Sequence, residues 1–137
     1  MSQDCLFCRI VAGQIPSRQL WSDDRAVAFL DIGPWQRGHS LVVPRRHLAD
    51  GADDASAWQE VGPGLTAVAD LVRRRLGADG VNFLSNAGAV AGQEVFHFHV
   101  HVIPRYQDNP GMSGLIRRDP AAACDLDGLW AHLTGPS

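Results

Sequence analysis

Long apolar runs are missing from this 137-residue sequence; nothing in it approaches the roughly 20 consecutive residues that cross a bilayer as a helix. The opening MSQDCLFCRI also lacks the basic stretch and long apolar core of a secretory leader, so a soluble, cytoplasmic protein is expected. Basic residues are in no surplus, with 12 Lys and Arg against 15 Asp and Glu. Extended binding to a nucleic-acid backbone therefore has no bulk electrostatic support, while a small nucleotide stays open as a ligand. Cysteine is scarce. Cys5, Cys8 and Cys124 are too few and too odd in number for a secreted disulfide scaffold, and a close pair such as Cys5 and Cys8 more often binds metal or does redox work. Cys124 reads as a buried small hydrophobe. Internal repeats and low-complexity linkers are absent as well. The 45% apolar content suits one domain over residues 1–137, with its core at about 4–106 and a tail at about 107–137.

The patterning that is present predicts an α+β fold. Apolar residues at Leu6, Phe7, Ile10 and Val11 suit a short helix ended by Gly13 and Pro16. RQLWSD, AVAFLD and HSLVVPR read as three strands of an antiparallel meander. From about Asp54 to Leu76, Leu65, Val68, Ala69, Val72 and Leu76 recur at helical spacing, with Gly62-Pro63-Gly64 expected to break or restart the helix and Gly77 to end it. Arg73, Arg74 and Arg75 fall in its last turn, where they complement the helix dipole. VNFLSN gives a fourth strand, NAGAVAGQE a Gly-rich loop, VFHFHVHVIP a fifth strand closed by Pro104, and LDGLWAHL a short last helix in a loop-rich tail. The sum is an antiparallel sheet of about five strands with one short N-terminal helix and one long helix.

In that fifth strand, residues two apart share a face, so His97, His99 and His101 line one side while Phe98, Val100 and Val102 enter the core. The outer two histidines would then lie roughly 13 Å apart, too far for one metal with bonds near 2 Å. The row must be divided between jobs. A His-x-His metal site using two neighbours and a merely polar edge-strand face are the rival readings.

Cys5 and Cys8 bracket one helical turn, a spacing that lets two thiolates converge on a tetrahedral zinc. No second CxxC exists, so the remaining ligands should be histidines, with His47 and one member of the row as the natural choices. A thioredoxin-like redox pair fits less well, because no strand precedes CLFC, and two unrelated structural cysteines are the plain alternative. Just before the histidine row, Gly88 and Gly92 would let backbone amides approach an anion, and Asn86 and Gln93 add neutral groups able to hold phosphate oxygens.

HFHVHVI, His97 to Ile103, resembles the signature of the histidine triad (HIT) superfamily, and AGQEVFH resembles that family's lead-in. The resemblance extends through DCLFCRIVAGQIPS, VAFLDIGPWQRGHSLVVPRRH and SNAG, covering most of the chain up to Arg105. It implies a HIT-like nucleotide-binding fold, a symmetric homodimer, and transfer or hydrolysis of a nucleotidyl group through a covalent histidine intermediate. His99 would be the nucleophile and His101 would steady the phosphate and its proton network. Asn86, Gly92, Gln93 and the backbone around Val95 would bind phosphate oxygens. Asp31 would hold the ribose, and Leu6, Phe7, Ile10, Phe29 and Ile32 would form an apolar slot for a base, most simply a purine. His39 would sit behind the triad. The paired cysteines resemble a zinc-bearing, Hint-like bacterial branch, in which Cys5, Cys8, His47 and His97 would hold one structural zinc per chain.

Glu94 departs from that pattern, since many relatives carry Ser or Thr there. A carboxylate would repel phosphate unless turned away, protonated or paired, or it could hydrogen-bond an amine leaving group. The activity expected is that of a purine nucleoside phosphoramidase-like hydrolase or transferase acting on a phosphoramidate or phosphoanhydride. Cleavage or phosphorolysis of dinucleoside polyphosphates, and a zinc-stabilised binding module with little turnover, are the alternatives.

Overall fold

A computed structural model describes residues 4–112 and 119–136. The elements are α1 (Leu6–Val11), β1 (Gln19–Ser22), β2 (Ala26–Leu30), β3 (Ser40–Pro44), α2 (Ala55–Leu76), β4 (Gly80–Leu84), a single 3-10 turn (Ala89–Ala91), β5 (Val100–Arg105) and α3 (Leu126–Thr134). The strands form one antiparallel sheet in the order β1-β2-β3-β5-β4, the five-stranded α+β arrangement expected from the pattern.

Strand alternation divides the core in two. Ala26, Ala28, Val42, Val100 and Val102 join Phe98 on the face covered by α2. Val27, Phe29, Leu41 and Val43 pack instead with Phe7 from α1. The second face is only partly covered, because α1 is short, and that leaves room for a pocket. His101 lies on it between its register partners Leu41 of β3 and Leu84 of β4.

Helix α2 runs unbroken through Gly62-Pro63-Gly64, contrary to the expected break. Pro63 forfeits one intrahelical bond, but Ala57, Val61, Gly64, Val68, Ala69 and Val72 are all buried in one stripe along the sheet, and that packing holds the axis. A side chain at Gly64 would come within 2.8 Å of Trp21 and Val42, so glycine there allows the helix to lie close. The ends are fixed locally. Asp54 accepts from the Ser56 amide, Arg46 bonds both Asp54 and Glu60, and Gly77 closes the helix at φ 68° with its amide on the Val72 carbonyl.

The last strand also differs from expectation. β5 begins at Val100, leaving His97 and His99 in the segment before it. Side chains take the carbonyls there: His97 bonds Pro44 O, His99 bonds His97 O, and Ser85 donates to His99 O. Pro104 does not close β5, which continues to Arg105; the ladder with β3 has ended at Val102, so that flank is open where the missing N–H falls. The short last helix forms, but none of its residues is buried, and Cys124 is exposed rather than packed. Part of the loop-rich tail, residues 113–118, lies outside the described residues. Among those described, no helix is long and apolar enough to cross a membrane.

Candidate active site

A cavity of about 360 Å³ opens on the face opposite α2. Leu6, Phe7 and Ile10 from α1 meet Phe29, Asp31 and Ile32 from the end of β2 along one side, while Asn86, Gly92, Glu94 and Val95 come from the Gly-rich loop. His99 and His101 line the same space. Nearly every residue expected to bind substrate therefore lines one space. Ile32 among them is 89% exposed. The loop is shaped by Gly88 at φ 95° and Gly92 at φ 107°, conformations that a side chain would strain.

Gln93 does not line the cavity. It is buried, its Oε1 accepts from the Gly88 amide, and its Nε2 donates to Ala49 O and Val95 O. These bonds use its amide to brace the loop, so none is left for a phosphate in this conformation. Residues the sequence reading did not single out also reach the pocket, among them Arg18, Leu41 and Trp35. Trp35 sits in the β2–β3 loop between Asp31 and His39, and nothing but that position marked it in the sequence.

Hydrogen bonds to groups of fixed polarity determine which ring nitrogens carry protons. The His97 carbonyl can only accept, so His99 Nδ1, 2.7 Å away, carries the hydrogen and Nε2 keeps its lone pair. The Trp35 amide can only donate, so His39 Nδ1 accepts it at 3.0 Å. His39 Nε2 must then carry its proton and donate to His101 Nδ1 at 2.9 Å, which leaves the His101 proton on Nε2. One lone pair and one N–H thus stand side by side, with the His99 and His101 ring centroids 5.1 Å apart.

Burial lowers the pKa values of His99 and His39, and with help from its neighbours His99 and His39 it brings His101 down to about 4. The rings are accordingly neutral near pH 7. Asp31 Oδ2 lies 3.6 Å from His39 Nε2, a long polar contact to a neutral ring rather than an ion pair. Asp31, His39 and His101 are near enough to hold a metal, but the Trp35 amide keeps the proton on the His39 nitrogen that would have to ligate, and this wiring favours a hydrogen-bonded His39–His101 pair with Asp31 beside it.

Cys5, Cys8, His47 and His97 gather into a second cluster, with one ligating atom from each within 4.8 Å of the others. Cys5 Sγ and Cys8 Sγ lie 3.4 and 3.5 Å from His97 Nδ1, and Cys8 Sγ lies 3.4 Å from His47 Nδ1. A tetrahedral zinc with bonds near 2.3 Å to sulfur and 2.05 Å to nitrogen would require S···N separations of about 3.6 Å. The residues fit. His97 Nε2 is committed to Pro44 O, which leaves the Nδ1 lone pair facing the thiols, and burial drives the His97 pKa down to about 4. The cluster can therefore bind a metal ion.

Comparison with known proteins agrees with this geometry. The HIT domain model matches residues 12–108. The chain belongs to the HIT family. An uncharacterised HIT-like protein of Methanocaldococcus jannaschii is 37% identical over 96% of this chain and 99% of its own. The crystal structure of a HIT family protein from Bacillus anthracis superposes with a TM-score of 0.82 at 32% identity, covering 97% of this chain and 96% of that one. Adenylylsulfatase HINT3 of Arabidopsis thaliana is 34% identical over 77% of this chain, which spans 54% of that longer protein. HIT proteins bind nucleotides and are generally hydrolases or transferases. The cysteine half of the metal cluster comes from the segment before the HIT match, whereas His47 and His97 lie within it.

Proposed function

We propose that this HIT protein transfers a nucleotidyl group first to His99 and then to water, releasing a nucleoside monophosphate from a phosphoramidate or phosphoanhydride. The observation that carries the proposal is the lone pair on His99 Nε2, held there by the Nδ1 bond to His97 O and set beside an N–H on His101. In the first step Nε2 bonds phosphorus, and the electron pair of the breaking bond leaves with the amine or phosphate, which takes a proton from solvent when it is an amine. The His97 carbonyl stabilises the positive imidazole so formed. In the second step water attacks phosphorus, the P–Nε2 bond breaks with its pair returning to Nε2, and the proton lost by the water passes to solvent. His101 Nε2–H and the backbone around Val95 hold the phosphate oxygens as charge develops on them.

Asn86 serves as a further phosphate donor, Asp31 takes the ribose hydroxyls, and Leu6, Phe7, Ile10, Phe29 and Ile32 sandwich the base. A purine suits the broad apolar faces of this slot. HINT3, a relative over about half its length, is named an adenylylsulfatase, in keeping with a nucleotidyl substrate. Cys5, Cys8, His47 and His97 would hold one zinc, which when bound supplies a structural cross-link between α1 and His97 and takes no part in bond cleavage. The protein acts as a single cytoplasmic domain paired in a homodimer; sedimentation showing only a 14.8 kDa species would remove the dimer.

Incubation with adenosine phosphoramidate, beside a His99→Ala control, tests the reaction. The wild-type chain should release adenosine monophosphate, and release no greater than that of the control would refute the proposal.

A further inference from the structure

The cavity is poor in positive charge for a site that takes a phosphate. Among the described residues that line it, Asp31 and Glu94 are acids and Arg18 is the one cation, while His99 and His101 are neutral near pH 7. The two acids are placed differently. Asp31 accepts from the Gly33 amide and lies beside His39, whereas Glu94 is exposed and makes no hydrogen bond or ion pair among the described residues. They also enter from opposite ends of β3. The Asp31 amide bonds the carbonyl of His39, just before that strand begins, and Gln93, the neighbour of Glu94, bonds Ala49 O beyond its end. Gln93 donates to Val95 O as well, and its own amide reaches Gly88 O, so the backbone on both sides of Glu94 is pinned.

Resting on the reaction proposed above, this placement sets Glu94 against the leaving group. The ribose occupies Asp31, and the phosphorus lies over His99 with its oxygens on the backbone around Val95, one residue from Glu94. Whatever leaves is bonded to that same phosphorus, so a charge on it is felt by the Glu94 carboxylate whether or not the two touch. We infer that Glu94 sorts leaving groups by charge, favouring phosphoramidates whose amine carries a second, cationic group and disfavouring polyphosphate and other anionic leaving groups. A site that binds a polyphosphate surrounds it with cations; here an unpaired carboxylate stands beside the phosphate instead. At about 7 Å, with an effective dielectric of roughly 40 to 80 in an open site, one unit charge changes the interaction by roughly three- to eightfold. Cation and anion act in opposite directions, so the pair differs by roughly ten- to sixtyfold. Repulsion of the substrate's own phosphate is common to all leaving groups and cancels from the comparison.

The test uses adenosine phosphoramidates that differ only at the far end of the amine, made from 1,3-diaminopropane, 3-aminopropanol and 3-aminopropanoate. The chains are alike in length, so a change of packing at residue 94 moves all of them together and charge alone separates them. Wild-type kcat/KM should fall in the order ammonium, hydroxyl, carboxylate, over a span of roughly ten- to sixtyfold that added salt narrows. Glu94→Gln should bring the span to within roughly threefold, and Glu94→Asp should keep most of it. A wild-type span near one, or a span unchanged in Glu94→Gln, overturns the inference. If the wild-type chain cleaves none of the compounds, the proposed reaction falls. Dissociation constants on the His99→Ala protein, with and without Glu94→Gln, then decide the sorting: the same order, lost with the carboxylate, supports it, and a flat series overturns it.

Discussion

His39 is the residue whose removal most sharply separates a wired site from a merely crowded one. Its side chain is fully buried and serves two partners, accepting from the Trp35 amide at 3.0 Å and donating to His101 Nδ1 at 2.9 Å. His39→Leu keeps much of the volume and strips both functions, so a part-buried donor and a part-buried acceptor lose their partner together. Each such loss costs about 1–3 kcal/mol, giving a total of about 2–6 kcal/mol with little contribution from a cavity. Urea denaturation should read this as a midpoint lowered by roughly 1–3 M, using the slope usual for small proteins. The same substitution frees His101 to place its proton on Nδ1, turning a lone pair instead of an N–H toward the phosphate. Loss of one such donor typically lowers kcat by about 10²-fold. A midpoint within 0.3 M of wild type, a threshold taken as roughly the noise of such curves, or an unchanged kcat would refute the relay from Trp35 through His39 to His101.

Three further outcomes follow from the same structure. Gly64→Ala should destabilise by about 1–3 kcal/mol although alanine is the better helix former, because the new methyl meets Trp21 and Val42 at 2.8 Å; a rise in melting temperature would show that α2 can move away. Folding stability should fall as pH drops from the unfolded histidine value of 6.5 toward 4. His101, with its pKa brought down to about 4, stays neutral in the fold while the unfolded chain takes up protons, so stability must rise with pH across that window; flat urea midpoints between pH 4.5 and 7, a range that lies roughly inside it, would contradict this. Gln93→Leu should weaken nucleotide binding about tenfold by releasing the loop at Gly88, an effect worth about one lost hydrogen bond to a buried group, and unaltered affinity in a calorimetric titration would show that the brace is dispensable.

Local periodicity carried much of the architecture. The strands of the meander, the long helix and the two-sided character of the histidine segment all follow from side-chain spacing; counting donors pointed the lone CxxC to His47 and one member of the row, and the family resemblance named that member as His97. What could not be read depended on contacts between distant segments. Pro63 and its glycines signal a break, yet the stripe packed on the sheet overrides them. His97 and His99 alternate like strand residues, but their rings occupy carbonyls that a ladder would use. Gln93 has the right chemistry for phosphate, and only the fold reveals that Gly88, Ala49 and Val95 use it first. Trp35 enters the site's wiring through its backbone amide, and a backbone amide leaves no mark on a sequence.

Covalent attack by His99 is the claim on which the rest depends, and rapid acid-free quenching during turnover of a slowly hydrolysed adenosine phosphoramidate, followed by peptide mass spectrometry, tests it most directly. An adenylyl group is expected on His99 and on no other residue. Turnover without any adduct, or an adduct on His101 instead, would contradict the assignment of the lone pair and the nucleophile alike.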